Sequence, residues 1–198
     1  MIDPRWVFLG AALGAAGSAR YCIAIVHGRA SPNLVTWILW AVAGLTAFLA
    51  QLDSGVGLPA ALTLAAGLGP VAVVTTAMLS GRSRLQVDRL DVACGLTAVL
   101  ALVAWLVLDR APVAVALAVA ADAVAAAPTI RKVWNAPRSE STLFYVLVGT
   151  GAVIALLTID AWEPAAWVFP AYIVVLCGTI AMIATVRSDV LRGSRVRA

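Results

Sequence analysis

Apolar residues run through this chain in long unbroken stretches, with polar residues gathered into short breaks between them. Seven stretches are long enough to cross the hydrocarbon core of a bilayer, near Trp6–Val26, Leu34–Gln51, Leu58–Ser80, Asp91–Leu108, Pro112–Val133, Thr142–Ile159 and Ala165–Val186. Strands of a membrane barrel would alternate apolar and polar positions, and these stretches do not, so helices are expected. The breaks carry turn chemistry: Arg29–Asn33, Asp53–Gly55, Gly81–Arg84, Asp109–Pro112, Asn135–Ser139 and Asp160–Pro164. Pro32, Pro59, Pro112 and Pro164 fall at or near the first turn of a span, where a missing N–H costs nothing. The first span is too long for the apolar core of a signal peptide, and Asp3 offsets Arg5 before it, so it is read as retained.

Composition agrees with this pattern. Of 198 residues, 63% are hydrophobic and 12% charged, too little polar material to cover a soluble domain. A soluble enzyme, a nucleic-acid-binding module and a disordered chain are all excluded. The expected class is an all-α membrane protein of seven transmembrane helices.

Charge then orients it. With seven spans, one side holds only Arg5 and Arg110. The other holds Arg29, Arg82, Arg84, Arg89, Arg131, Lys132, Arg138, Arg187, Arg192, Arg195 and Arg197. The positive-inside rule places the N-terminus outside and the C-terminus in the cytoplasm. Trp6, Trp162 and Trp167 then fall at the outer interface and Trp134 at the inner one. The arginine-rich side is expected to contact anionic lipid, and the basic residues of the tail are too few for a nucleic-acid site. Richness in Ala, Val, Leu and Arg with a single lysine suggests a GC-rich bacterial genome, hence the plasma membrane.

An internal repeat is visible when Ser31 is laid on Ser139, an offset of 108 residues. Each copy has a helix ending in a basic or proline-containing turn, then a serine, then a new helix with an aromatic residue six positions on (Trp37, Tyr145). Each copy runs on to an acidic loop at Asp53 or Asp160. The offset spans an even number of helices, so the copies are parallel and related about an axis along the membrane normal. The fourth helix inverts the direction between them.

The stretch Pro128-Thr-Ile-Arg-Lys-Val-Trp-Asn-Ala-Pro-Arg138-Ser139 resembles the PQ-loop motif, in which a Pro-Gln pair ends the first helix of a triple-helix bundle and a basic-Ser turn follows. Pro128 matches the proline, Thr129 replaces the glutamine, and Arg138-Ser139 match the basic-Ser pair. In the first copy Arg20-Tyr21 stand where Pro-Gln would be, and Ser31 keeps the turn. The likeness in layout covers residues 6–187. It implies two parallel three-helix bundles joined by an inverting helix, a 3+1+3 layout. The first bundle and its cytoplasmic loop would occupy 1–90, the linker helix 91–110, the second bundle 111–187 and a basic tail 188–198. SWEET sugar transporters, the cystine exporter of lysosomes and vitamin transporters of the nicotinamide riboside type share this or a related layout. The receptor that retrieves escaped endoplasmic-reticulum proteins has the fold without transporting a metabolite, so fold alone does not give function.

Candidate chemistry follows from depth. Asp122 and Arg20 are the most deeply placed charges, and a charge at membrane depth persists when it faces a cavity or has a partner. Their depths differ by about 6 Å at the helical rise per residue, so they are expected to pair across a central cavity, as a static salt bridge or as a substrate or proton site. Trp37 and Trp40 share one helix face and, with Tyr145 and Tyr172, are candidate walls of a binding site or else packing residues. Pro128, Thr129, Pro70 and Pro170 are candidate hinges. In the resembled family such prolines allow rocking between two open states, and the alternative is a fixed kink. Gly10, Gly14 and Gly17 form a small-residue stripe for close helix packing. Cys22, Cys94 and Cys177 read as packing residues and His27 as a helix end.

The sugar carriers of the family place asparagines in the third helix of each bundle, and here the only asparagines are Asn33 and Asn135, in turns. A sugar is therefore in question. The leading expectation is a transporter of a small polar solute (sugar, amino acid or nucleoside-like vitamin) working by alternating access, with or without proton coupling. The second is a non-transporting receptor or subunit of an envelope assembly. An enzyme is not expected: no metal-ligand cluster, paired catalytic carboxylates or nucleophile with a base is seen. A retinal protein would need a lysine within the membrane, and Lys132 sits at a helix end. No cofactor or nucleic-acid partner is expected, and a homo-oligomer or protein partner is left open.

Overall fold

The computed structural model describes residues 2–81, 89–108 and 111–196. Arg82, Arg84, Arg110 and Arg197 lie outside the described residues, as do the side chains of Cys94, Arg192 and Arg195. Among the described residues the chain is helical without strands: α1 (Val7–Val26), α2 (Leu34–Asp53), α3 (Ala60–Leu79), α4 (Arg89–Leu108), α5 (Ala111–Asn135), α6 (Thr142–Leu157) and α7 (Pro164–Val196). Short 3-10 turns, Pro4–Trp6 and Pro137–Ser139, precede α1 and α6. Four helices within the described residues are long and apolar enough to cross a membrane: Pro4–Val26, Leu34–Asp53, Ala60–Leu79 and Pro164–Asp189.

The ends follow local chemistry. The Asn33 side chain accepts the Val35 N–H at 3.0 Å and caps α2. Gly28, with φ of 69°, closes α1 in the left-handed region that a side chain disfavours. His27 ends that helix with its ring Nδ1 2.8 Å from the Ile23 carbonyl. Helix α7 continues to Val196, through the stretch read as a basic tail.

Packing is regular. Helix α3 lies against both α1 and α2, and α7 against both α5 and α6. Among the described residues the backbones of α1 and α2 do not approach closely, nor do those of α5 and α6. The two sets meet through α1 on α6 and α2 on α5, and α4 lies mainly on α5. In a bilayer, small residues rather than hydrophobic exclusion allow such approach. A Cβ on Gly10 would sit 2.6 Å from the Gly151 carbonyl oxygen, and one on Gly44 2.9 Å from Gly67 Cα. Gly17 would bring its Cβ 3.4 Å from Phe144, so Gly10 and Gly17 of the α1 stripe pack against α6.

This gives a stability prediction. Gly10→Val forces α1 from α6 and should cost about 1–3 kcal/mol, seen as a melting point about 5 °C lower in detergent. Gly14→Ala, whose added Cβ meets nothing within 4 Å, should leave the melting point unchanged.

Charged residues mark two ends. Ile2 N–H donates to the Leu157 carbonyl, and Gln51 Nε2 to the Ala165 carbonyl at 3.0 Å, joining the start of the chain to the end of α6 and the end of α2 to the start of α7. This end carries Asp53, Asp160 and Glu163, all exposed, and is the acidic end. The opposite end carries Arg29, Arg131, Lys132, Arg138 and Arg187 and is the basic end. Trp6, Trp162 and Trp134 are each more than half exposed, at 53%, 58% and 51%. The Arg187 guanidinium lies 4.7 Å from the Trp134 ring centre, and its Nε–H donates to the Trp134 carbonyl.

Candidate functional site

Where the helix sets meet, a cavity of about 50 Å³ remains, room for very few waters. Trp40 (α2), Ala66 and Pro70 (α3), Asp122 (α5), Tyr145 (α6) and Phe169 (α7) are among its lining residues, so five helices contribute.

Asp122 is the charged residue of this lining and is buried. Tyr172 donates its hydroxyl to Asp122 Oδ2 at 2.5 Å. Trp40 Nε1–H donates to the Asp122 backbone carbonyl at 3.3 Å, which fixes the indole beside the carboxylate. Among the described residues no cation reaches Asp122, and Oδ1 has no hydrogen-bond donor.

The expected Arg20–Asp122 pair is a correction. Arg20 is exposed, and the backbones of α1 and α5 do not approach closely among the described residues. The buried stripe of α1 runs Gly10, Gly14, Gly17, Tyr21 and Ile25, facing α3 and α6. Arg20 precedes Tyr21 by one position, which turns it about 100° off that stripe.

The other predicted aromatics converge. Trp37 is fully buried, its ring centre 4.6 Å from Tyr21, 5.2 Å from Trp40 and 5.3 Å from Phe144. Phe144 lies 5.0 Å from Tyr145. Of the proposed hinges, Pro70 lines the cavity, Pro170 and Thr129 are buried, and Pro128 is half-buried. Pro70 has no N–H, so the Ala66 carbonyl one turn before it loses its helical donor, and both residues line the cavity. Cys177 also lines the cavity, and Cys22 is half-buried.

Between this cluster and the basic end lies a network that sequence reasoning missed. The Glu140 side chain is 1% exposed. Its Oε1 takes Lys132 Nζ at 2.8 Å, and its Oε2 accepts the Tyr21 hydroxyl at 2.6 Å and the Tyr145 hydroxyl at 3.3 Å. Lys132 also donates to the Ser31 carbonyl at 2.5 Å. One carboxylate thus joins α1, α5, α6 and the α1–α2 turn through charge-assisted bonds. Glu140 lies in a turn next to Ser139, where a charge ordinarily reads as solvated. Its tyrosine partner on α1 is 119 residues away, so no local spacing signals the contact. Lys132, eight residues earlier, was the available hint.

At the acidic end a pocket of about 380 Å³ opens among Ser54, Val56, Pro59, Thr158, Asp160 and Glu163, among others. Among the described residues no group of three or more His, Cys, Asp or Glu is placed to hold a metal ion. Compared with protein families, curated proteins and solved structures, the chain has no match.

Proposed function

We propose that the chain is a carrier of small polar solutes that works by alternating access, with Asp122 as its binding and coupling carboxylate. The observation that carries this reading is a buried acid without a cationic partner among the described residues, lining a cavity between the two helix sets. An ionisable group at membrane depth is costly and marks a solute or proton path by default.

The proposed architecture is 3+1+3, with α1–α3 and α5–α7 as parallel bundles and α4 as the inverting linker, in the manner of the PQ-loop and SWEET-like proteins. The packing pattern supports it. Exchanging α1, α2 and α3 for α5, α6 and α7 turns every major contact of one set into a contact of the other, and turns α1 on α6 into α5 on α2. The offset of 108 also carries Gly10 to Ala118 and Gly151 back to Ala43, small and buried residues. In this reading the basic end is cytoplasmic, the N-terminus outside, and the membrane a bacterial plasma membrane whose anionic lipid meets the arginine-rich side. The Glu140 network is the inner gate and is closed. Gln51 on Ala165 belongs to the outer gate, above which the larger pocket opens. The prolines of α3, α5 and α7 supply the hinges.

The second reading, a non-transporting receptor or envelope subunit, is favoured by the small size of the central cavity. Reconstituted vesicles carrying an internal pH dye separate the two. Under an imposed solute gradient of amino acids, amines, sugars or nucleosides, one class should move protons. Asp122→Asn should reduce that flux at least tenfold, the equivalent of about 1.4 kcal/mol of barrier. No solute-dependent flux, with correctly inserted protein, would favour the receptor or subunit.

A further inference from the structure

The cavity has a chemical signature that narrows the solute. Its lining offers acceptors. Asp122 supplies a carboxylate whose Oδ1 has no donor among the described residues. Pro70 leaves the Ala66 carbonyl without its helical N–H. The N–H and O–H donors of the lining side chains are already committed: the Trp40 indole N–H to the Asp122 backbone and the Tyr145 hydroxyl to Glu140. The remaining walls are apolar or aromatic, with Trp40, Phe144, Tyr145 and Phe169 around the acid.

Three solute classes fit this poorly. A sugar or nucleoside needs several donors and acceptors for its hydroxyls, and an unpaired buried hydroxyl is costly. An anion would meet Asp122 with no cation in the lining, since Lys132 is held on Glu140. A zwitterion would bring a carboxylate with the same difficulty. A small ammonium fits. It carries a positive charge and N–H donors, or methyl groups that lie well on aromatic faces. Aromatic walls attract such cations through the ring quadrupole, most strongly where water is excluded.

We propose that the solute of this site is a small monovalent organic ammonium, held by the Asp122 carboxylate and the aromatic walls led by Trp40. This rests on the carrier reading for its transport, though not for its binding. Any solute larger than a few atoms requires the cavity to widen as the gates move, so the smallest amines are the probes of choice.

The test is thermal unfolding of the full chain in detergent with methylammonium or tetramethylammonium chloride. Sodium chloride at equal ionic strength, glucose, alanine and sodium acetate are the comparisons. The expected result is a rise of about 5–10 °C at saturation with the ammonium salts alone. Asp122→Asn should abolish the rise, and Trp40→Phe should keep most of it while Trp40→Leu weakens it at least tenfold in apparent affinity. Should the leucine variant fail to fold, the Asp122→Asn comparison decides. A shift with glucose, alanine or acetate but not with the ammonium salts would overturn the ammonium inference and leave the carrier reading standing. Equal stabilisation of wild type and Asp122→Asn by ammonium would overturn this site. Absence of any shift would overturn it as well. Ammonium binding without uptake of labelled methylammonium into vesicles would uphold the site and count against the carrier.

Discussion

Glu140→Ala should lower the stability of the folded chain by about 3–5 kcal/mol, the cost of breaking a buried ion pair by removing one partner. Tyr21 is fully buried and Tyr145 1% exposed, so both hydroxyls lose an acceptor that water cannot easily replace. Lys132 keeps its bond to Ser31 and has a side chain 28% exposed, so it recovers some hydration, and the lower half of the range is expected. In detergent this reads as a melting point about 10 °C lower for a chain of this size. Glu140→Gln retains an acceptor for the tyrosines and should lose about half as much. The same substitution should loosen the basic end. With Cys22 and Cys94 changed to alanine, Cys177, which lines the central cavity, should react with a water-soluble thiol reagent roughly tenfold faster in Glu140→Ala, the rate change for about 1.4 kcal/mol. Lys132→Met combined with Glu140→Leu should cost less than the two single changes together, because the pair is then replaced rather than broken. A melting point within a degree or two of the parent, with no change in thiol reactivity, would reduce the network to a passive contact.

Helix positions were legible because unbroken apolar runs of about twenty residues with turn chemistry between them leave few alternatives. The ends of α2 and α3 fall within two residues of the expected spans. Asp122 was legible as a candidate because a carboxylate at mid-span is conspicuous in apolar surroundings. Which way a side chain faces was far less so. A membrane helix is apolar on its lipid side as well as its packed side, so the periodicity that orients a soluble helix is nearly lost. Arg20 and Asp122 therefore read as lying at compatible depths, while the backbones of their helices do not approach closely among the described residues. The glycines gave the missing signal: Gly10, Gly14 and Gly17 mark the packed stripe of α1, and Arg20 is not on it. Glu140 was hidden by the opposite effect, a residue in a polar turn that folds inward onto a tyrosine from the far part of the chain.

Trp37→Ala should remove the centre of the aromatic cluster and cost about 3 kcal/mol, the lower end for a large buried aromatic. The lower end applies because in a bilayer no hydrophobic exclusion from water is lost, and the cost is the void and the missing dispersion contacts. Those contacts are many: the indole lies within 5.3 Å, centre to centre, of Tyr21, Trp40 and Phe144. Trp37→Phe keeps a ring in place and should cost less than half as much. The consequence for function is larger than the loss of stability. Trp37 packs on Trp40, a wall of the central cavity, and on Tyr21, a member of the Glu140 network, so its volume fills the space between cavity and gate. Emptying that space should let the cavity extend toward the basic end while the outer contacts stay as they are. Vesicles carrying Trp37→Ala should show a solute-independent proton leak roughly tenfold above the parent, whereas Trp37→Phe should not. The same variant at unchanged leak, despite a lower melting point, would mean that the Glu140 network seals the basic end without the indole, and the gate would then be polar rather than aromatic.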